Sequence, residues 1–101
     1  AVARLRSGEV SPLELIDAAE RRIAQTNQQI NAVVTTCFDR ARDHARRLMS
    51  GPPAERAANF LHGLPVAVKD NTDVEGVSCT SGSKVFENRI APGSDPVVKR
   101  L

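Results

Sequence analysis

Lys69 is the residue best placed to do chemistry. It closes the apolar run Leu64-Pro65-Val66-Ala67-Val68 and is followed at once by an acid, Asp70, and an amide, Asn71. A lysine acts as a general base only as the free amine, which requires surroundings that disfavour its ammonium form, such as burial at an apolar strand end. In open α/β sheets, sites gather outside the carboxyl ends of strands, the position this spacing predicts for Lys69. A solvated lysine is the plainer reading of such a residue taken alone. Other patterns are weaker. Ser81-Gly82-Ser83-Lys84 has the S-x-x-K spacing of penicillin-recognising enzymes, but the companion S-D-N and K-T-G elements are missing. The same stretch lacks the spaced first glycine of a phosphate loop. His44 and His62 have no metal-ligand spacing and read as surface or packing residues. Cys37 reads as packing in a buried strand, and Cys79, in a loop near Lys69, is the more plausible reactive thiol of the two, though structural on balance.

The elements that must carry these residues follow from spacing. Val2 and Leu5 end a helix that Gly8 stops. Ser11-Pro12-Leu13-Glu14 combines an N-cap serine, proline at the first helical position and glutamate three residues after the cap. A helix from about Pro12 to Gln28 follows, with Leu15, Ala18, Ala19 and Ile23 on its apolar face. The β-branched run Asn31 to Phe38 predicts a buried strand. Asp39 to Met49 is helical, with Arg40, Arg42, Arg46 and Arg47 as a solvated basic face. Ser50-Gly51-Pro52-Pro53 breaks that helix, and the residues to Asn59 read as a loop or a loose short helix. Leu64 to Val68 is the second strand, and 71–80 a loop returning across the sheet edge. A short helix from Ser81 toward Phe86 and a final helix capped by Ser94 or Asp95 at Pro96 complete the chain. This order predicts α/β layering.

Composition narrows the classes. With 101 residues, 41% hydrophobic and 3% aromatic, one small aliphatic core or part of a larger one is expected. A net charge of +2, with acids and bases interspersed, is too small to argue for nucleic acid or an anionic membrane as partner. No apolar run approaches the ~20 residues of a membrane span. Two cysteines make no disulfide framework, so a reduced, cytoplasmic protein is expected.

The chain also resembles a known family. Gly63-Leu64-Pro65-Val66-Ala67-Val68-Lys69-Asp70-Asn71 is similar to the lysine-bearing segment of amidase signature enzymes, and Asp73-Val74-Glu75-Gly76-Val77 continues it. Thr80-Ser81-Gly82-Ser83 and Asp95-Pro96-Val97-Val98-Lys99-Arg100-Leu101 follow in the family's order. Gly8-Glu9-Val10-Ser11 with Glu14-Leu15-Ile16 resembles its first capped helix, and Gln29-Ile30-Asn31-Ala32-Val33 its next strand entry. The resemblance implies an α/β domain with a mixed, twisted sheet flanked by helices, of which residues 1–101 are the N-terminal portion, ending before the catalytic serines.

It also implies hydrolysis of carboxamide C–N bonds by a Ser–cis-Ser–Lys triad in which Lys69 is the base. Lys69 would take a proton from a bridging serine, which deprotonates the nucleophilic serine; backbone N–H groups stabilise the oxyanion. Asp70, Asn71 and Ser83 are the candidate substrate-binding or site-supporting residues. No metal or organic cofactor is implied. A broad-specificity amidase acting on small amides is the first reading. The second is the glutamyl-tRNA amidotransferase component that carries this fold, its A subunit, which needs partner subunits; no nucleic acid is expected unless the chain is such a tRNA amidotransferase subunit. A different class is a non-catalytic helical interaction module that sets the Arg40–Arg47 helix against an acidic partner. On any of these readings the isolated chain leaves apolar faces uncovered and is expected to be poorly soluble or partly ordered.

Overall fold

The computed structural model describes residues 1–51 and 60–101; the predicted loop after Gly51 lies outside the described residues. The chain divides into two compact units, Ala1–Pro65 and Val66–Leu101.

The first unit is helical. Helix α1, Val2–Ser7, ends on Gly8, whose φ of 75° places it in the left-handed region that glycine enters without a Cβ penalty. Helix α2, Pro12–Ile30, begins with a complete capping box. Ser11 Oγ accepts the Glu14 N–H at 3.2 Å, and Glu14 Oε2 accepts the Ser11 N–H at 2.7 Å. Two N–H groups that the helix start would leave unpaired are thereby satisfied. Those bonds to Ser11, the backbone one foremost, hold the Glu14 carboxyl below its usual range.

Helix α3, Phe38–Ser50, packs on α2. Among the described residues of this unit, Leu5 of α1, Pro12 and Ile16 of α2, and Ala45 of α3 are buried. Arg42 joins the two longer helices: its guanidinium donates to Asp17 at 2.9 Å and also to Glu20. The bonds to Glu20 and then Asp17 push the Arg42 guanidinium further up. The predicted solvated face is corrected at this residue, because Arg42 spends its charge inside the helix pair. Gly63, with φ of 83°, passes so close that an added Cβ would lie 2.7 Å from Pro12 Cγ and 3.0 Å from Leu48 Cδ2.

The expected α/β architecture is not what the chain forms. Among the described residues there is no named strand and no sheet, only one isolated antiparallel bridge between Ser78 and Ile90. At the first predicted strand the reason is local. The Asn31 cap is left-handed (φ 51°), and the Asn27 side chain takes both backbone groups of Val33, donating to its carbonyl at 2.8 Å and accepting its N–H at 2.9 Å. The Val33 N–H is thereby taken within its own segment and cannot donate to a neighbouring strand. The second predicted strand, residues 64–68, likewise pairs with no strand among the described residues. Its β-branched character alone does not make one, because that character expresses a fit to neighbouring strands. Cys37, expected in a buried strand, is exposed at the start of α3.

The second unit is mostly turns, with a 3₁₀ turn, Lys84–Phe86, and a short helix α4, Pro96–Lys99. Its buried residues are Cys79 and Ala91. Large apolar side chains remain on the surface of both units: Ile30 and Val34 in the first, and Val85, Ile90 and Val97 in the second, Val85 at 84% exposure. That agrees with the expectation of uncovered apolar faces.

Candidate functional site

Lys69 opens a four-residue turn in which its carbonyl accepts the Thr72 N–H at 3.0 Å. Its side chain is exposed, so the expected burial at an apolar strand end is not supplied by residues 66–101. The next residue is the hub. Asp70 Oδ1 accepts the Thr80 N–H at 2.7 Å, Oδ2 accepts the Thr80 hydroxyl, and Oδ2 also lies 3.5 Å from the Gly82 N–H. The Asp70 carbonyl accepts the Ser81 N–H at 2.7 Å, with the Cys79 thiol 3.6 Å away. Thr80, through its hydroxyl first and its N–H second, holds the Asp70 carboxyl below the usual carboxylate range.

The partner of this hub is a tight turn. Ser81 and Gly82 both have positive φ, 51° and 67°, and the Ser83 N–H donates to the Thr80 carbonyl at 2.9 Å. Left-handed values at both central positions define a turn that glycine tolerates and serine adopts only under constraint. The Asp70 contacts provide that constraint. Ser83 itself caps the 3₁₀ turn, its hydroxyl accepting the Val85 N–H at 3.3 Å. Asn71 is exposed, and its Oδ1 accepts the Thr72 hydroxyl at 3.4 Å. Of the four residues singled out from the sequence, Lys69, Asp70 and Asn71 share one turn, and Ser83 closes the turn that Asp70 grips.

A second aspartate closes the rest of this unit. Asp73 receives a bidentate bond from Arg89, each N–H···O at 2.6 Å, a geometry in which the planar guanidinium matches the carboxylate. The backbone of Asp73 is tied to Asp95, whose carboxylate accepts the Asp73 N–H at 2.9 Å while its own N–H donates to the Asp73 carbonyl at 2.9 Å. Asp95 is therefore occupied across the unit and makes no side-chain cap on α4. Arg89 brings the Asp73 carboxyl down to about 2. The Asp73 carboxylate, followed by burial, pushes the Cys79 thiol up. A buried, protonated thiol is a poor nucleophile, so the reactive-thiol reading of Cys79 has no support here.

Arg89 and the clamp by Thr80 are not legible in the sequence. Arg89 lies in a turn-rich stretch with no spacing signal, and Thr80 stands out only as the first letter of a motif. No group of three or more His, Cys, Asp or Glu among the described residues has a geometry that would hold a metal ion. No helix among them is long and apolar enough to cross a membrane.

Comparison with known proteins agrees with the motif reading. The chain is 38% identical over 98 residues to the A subunit of glutamyl-tRNA(Gln) amidotransferase from Synechococcus sp. strain CC9605, covering 97% of this chain and 20% of that one. Its likeness to the protein of the same name from Halothermothrix orenii is 37% over 97 residues, covering 96% and 19%. The corresponding protein of Endomicrobium trichonymphae is 30% identical over 98 residues, again 97% and 20%. The chain thus spans about a fifth of the length of the curated relatives it matches. A family model described as Amidase matches residues 14–101, from the capping glutamate of α2 through the Lys69 turn to the last residue. The chain belongs to the amidase family.

Proposed function

We propose that these residues are the lysine-bearing portion of an amidase-family enzyme that breaks carboxamide C–N bonds, with Lys69 as the base. The observation that carries the reading is the family match over residues 14–101, which includes the whole lysine segment and the turn that Asp70 grips. In the proposed reaction the free amine of Lys69 accepts a proton from a bridging serine. That serine takes the proton of a nucleophilic serine as its oxygen attacks the amide carbon. The amine leaves with a proton returned along the same relay, and an acyl-enzyme remains for water or another acceptor. Both serines, and the burial that residues 66–101 do not give Lys69, belong in this proposal to further polypeptide, consistent with relatives about five times as long. Asp70, Asn71 and Ser83 support the site, and no cofactor takes part.

The relatives' name favours the A subunit of an amidotransferase for glutamyl-tRNA(Gln); on this reading glutamine is the amide donor, charged tRNA the acceptor, and the enzyme works with partner subunits in the cytoplasm. The broad-specificity amidase is the second reading, since the family model itself does not separate the two. The interaction-module reading loses ground because Arg42 is already paired with acids of α2.

The test is Lys69→Ala in the intact polypeptide, assayed on glutamine and on simple aliphatic amides. Loss of about 10²–10⁴-fold in kcat is expected for removal of a general base. Undiminished turnover would end the proposal for Lys69. Glutamine-dependent amidation of glutamyl-tRNA with partner subunits present separates the amidotransferase from a plain amidase.

A further inference from the structure

We propose that Thr80 is a positioning residue for Lys69, acting through Asp70. The inference rests on the reading of Lys69 as the base. The Lys69 side chain is exposed, so what residues 66–101 hold in place is the backbone it leaves from. Among the described residues the Lys69 carbonyl accepts the Thr72 N–H at 3.0 Å, a contact within the turn. The next residue, Asp70, ties that turn to a segment ten residues away. Thr80 supplies both the shortest N–H contact to that carboxylate and its only hydroxyl donor among the described residues. The Thr80 hydroxyl also accepts the Gly82 N–H at 3.1 Å, so one side chain binds the carboxylate and orders the turn that follows.

A hydroxyl is the right group for this task. It donates to the carboxylate and accepts from an amide at the same time, which neither a methyl nor an ammonium does. The bonds to an ionised acceptor are charge-assisted and directional, so the clamp specifies an orientation as well as a distance. The Thr80 backbone takes part too, since its carbonyl receives the Ser83 N–H that closes the left-handed turn at Ser81 and Gly82. Removing the hydroxyl takes away the donor to Asp70 Oδ2 and leaves the carboxylate on the Thr80 N–H alone at 2.7 Å, with the Gly82 N–H 3.5 Å away, so the clamp loosens. The turn that carries Lys69 is then held less tightly on its C-terminal side, and the amine samples directions other than the one the relay needs. A base displaced by about 1 Å loses on the order of 10²-fold in rate, a loss read in kcat.

The experiment uses the intact enzyme with glutamine as substrate, and compares Thr80→Val, Thr80→Ser and Lys69→Ala, each normalised to folded protein by circular dichroism. Thr80→Val is expected to lower kcat by about tenfold or more with KM changed less than about twofold, because it removes the hydroxyl while keeping the shape. Thr80→Ser keeps the hydroxyl and is expected to recover kcat to within about threefold of the parent. A Thr80→Val enzyme with parental kcat per folded molecule overturns the positioning role while Lys69→Ala, if inactive, still upholds the base. A Lys69→Ala enzyme with parental kcat overturns both. Should Thr80→Val not fold, Asp70→Asn replaces it: the amide retains one acceptor oxygen and loses the charge, so an intermediate fall in kcat at constant KM is expected. Parental kcat in Asp70→Asn overturns the proposal equally.

Discussion

Residues 1–65 and 66–101 are built on different principles. In the first unit the backbone bonds are made inside α2 and α3, and the helices meet through a stripe of small and aliphatic side chains around Ile16 and Ala45. In the second, beside turn bonds and one isolated bridge, two aspartates, Asp70 and Asp73, collect donors and acceptors from segments ten to twenty-two residues away. Periodic burial distributes stability over many weak contacts, so a single change is absorbed locally. A hub concentrates it on one charged group, so a single proton or truncation is felt through the unit. The candidate site lies in the hub-built unit, where geometry is set by directional bonds.

Acid gives the largest separation between the two. The Asp73 carboxyl has its folded value at about 2, below its ordinary 3.8. A carboxyl lowered on folding stabilises the fold above its unfolded value, and that stability is lost as pH falls toward the folded value. As pH falls through that window, from the ordinary 3.8 toward about 2, the amides of Gly76, Cys79 and Ala91 are therefore expected to lose hydrogen-exchange protection. Asp70, lowered by Thr80, adds to this in the same direction. In the first unit the first turn of α2 should respond, through Glu14. Equal loss in the interior of α2 would erase the contrast.

Two glycines sharpen it. Gly63 has positive φ and an added Cβ would press on Pro12 and Leu48, so Gly63→Ala combines backbone strain with overpacking. A cost of about 2–4 kcal/mol to the first unit is expected in chemical denaturation. Gly82 also has positive φ, but nothing lies within 4 Å of its added Cβ. Gly82→Ala should therefore cost the strain alone, about 1–2 kcal/mol. If the two substitutions destabilise equally, crowding at Gly63 is absent.

The smallest effect is at the helix cap. Ser11→Ala removes one half of the capping box and is expected to cost about 1 kcal/mol, with exchange accelerated in the first turn of α2 and unchanged in α3. Fraying that spreads along α2 would show that the first unit, too, depends on single contacts.

Legibility followed the same division. The capped start of α2, the glycine stop after α1, the helix over residues 39–49 and the turn-rich second unit could all be read from spacing, because each depends on neighbours within four residues. The family could be read from the order of its motifs, and the family match over 14–101 bears it out. The strands could not. The run 31–38 has the composition of a strand, yet Asn27 occupies the backbone of Val33, and no local pattern announces a side-chain amide folding back six residues. Cys37, expected in a buried strand, is exposed for the same reason, since exposure depends on where the chain turns next.

What the sequence determined by itself is the set of short-range choices: where helices start, where Gly8 stops the first one, and which ordered motifs mark the family. Those are set by sterics and hydrogen bonds within a turn or two of each residue. What only the tertiary structure decided is which distant donor each charged side chain takes. Asp70 could have reached Lys69, water or its own turn, and it takes Thr80. Arg42 could have stayed solvated, and it takes Asp17 and Glu20. A charge pairs with whatever the rest of the chain brings within about 3 Å, and that proximity is a property of the whole fold.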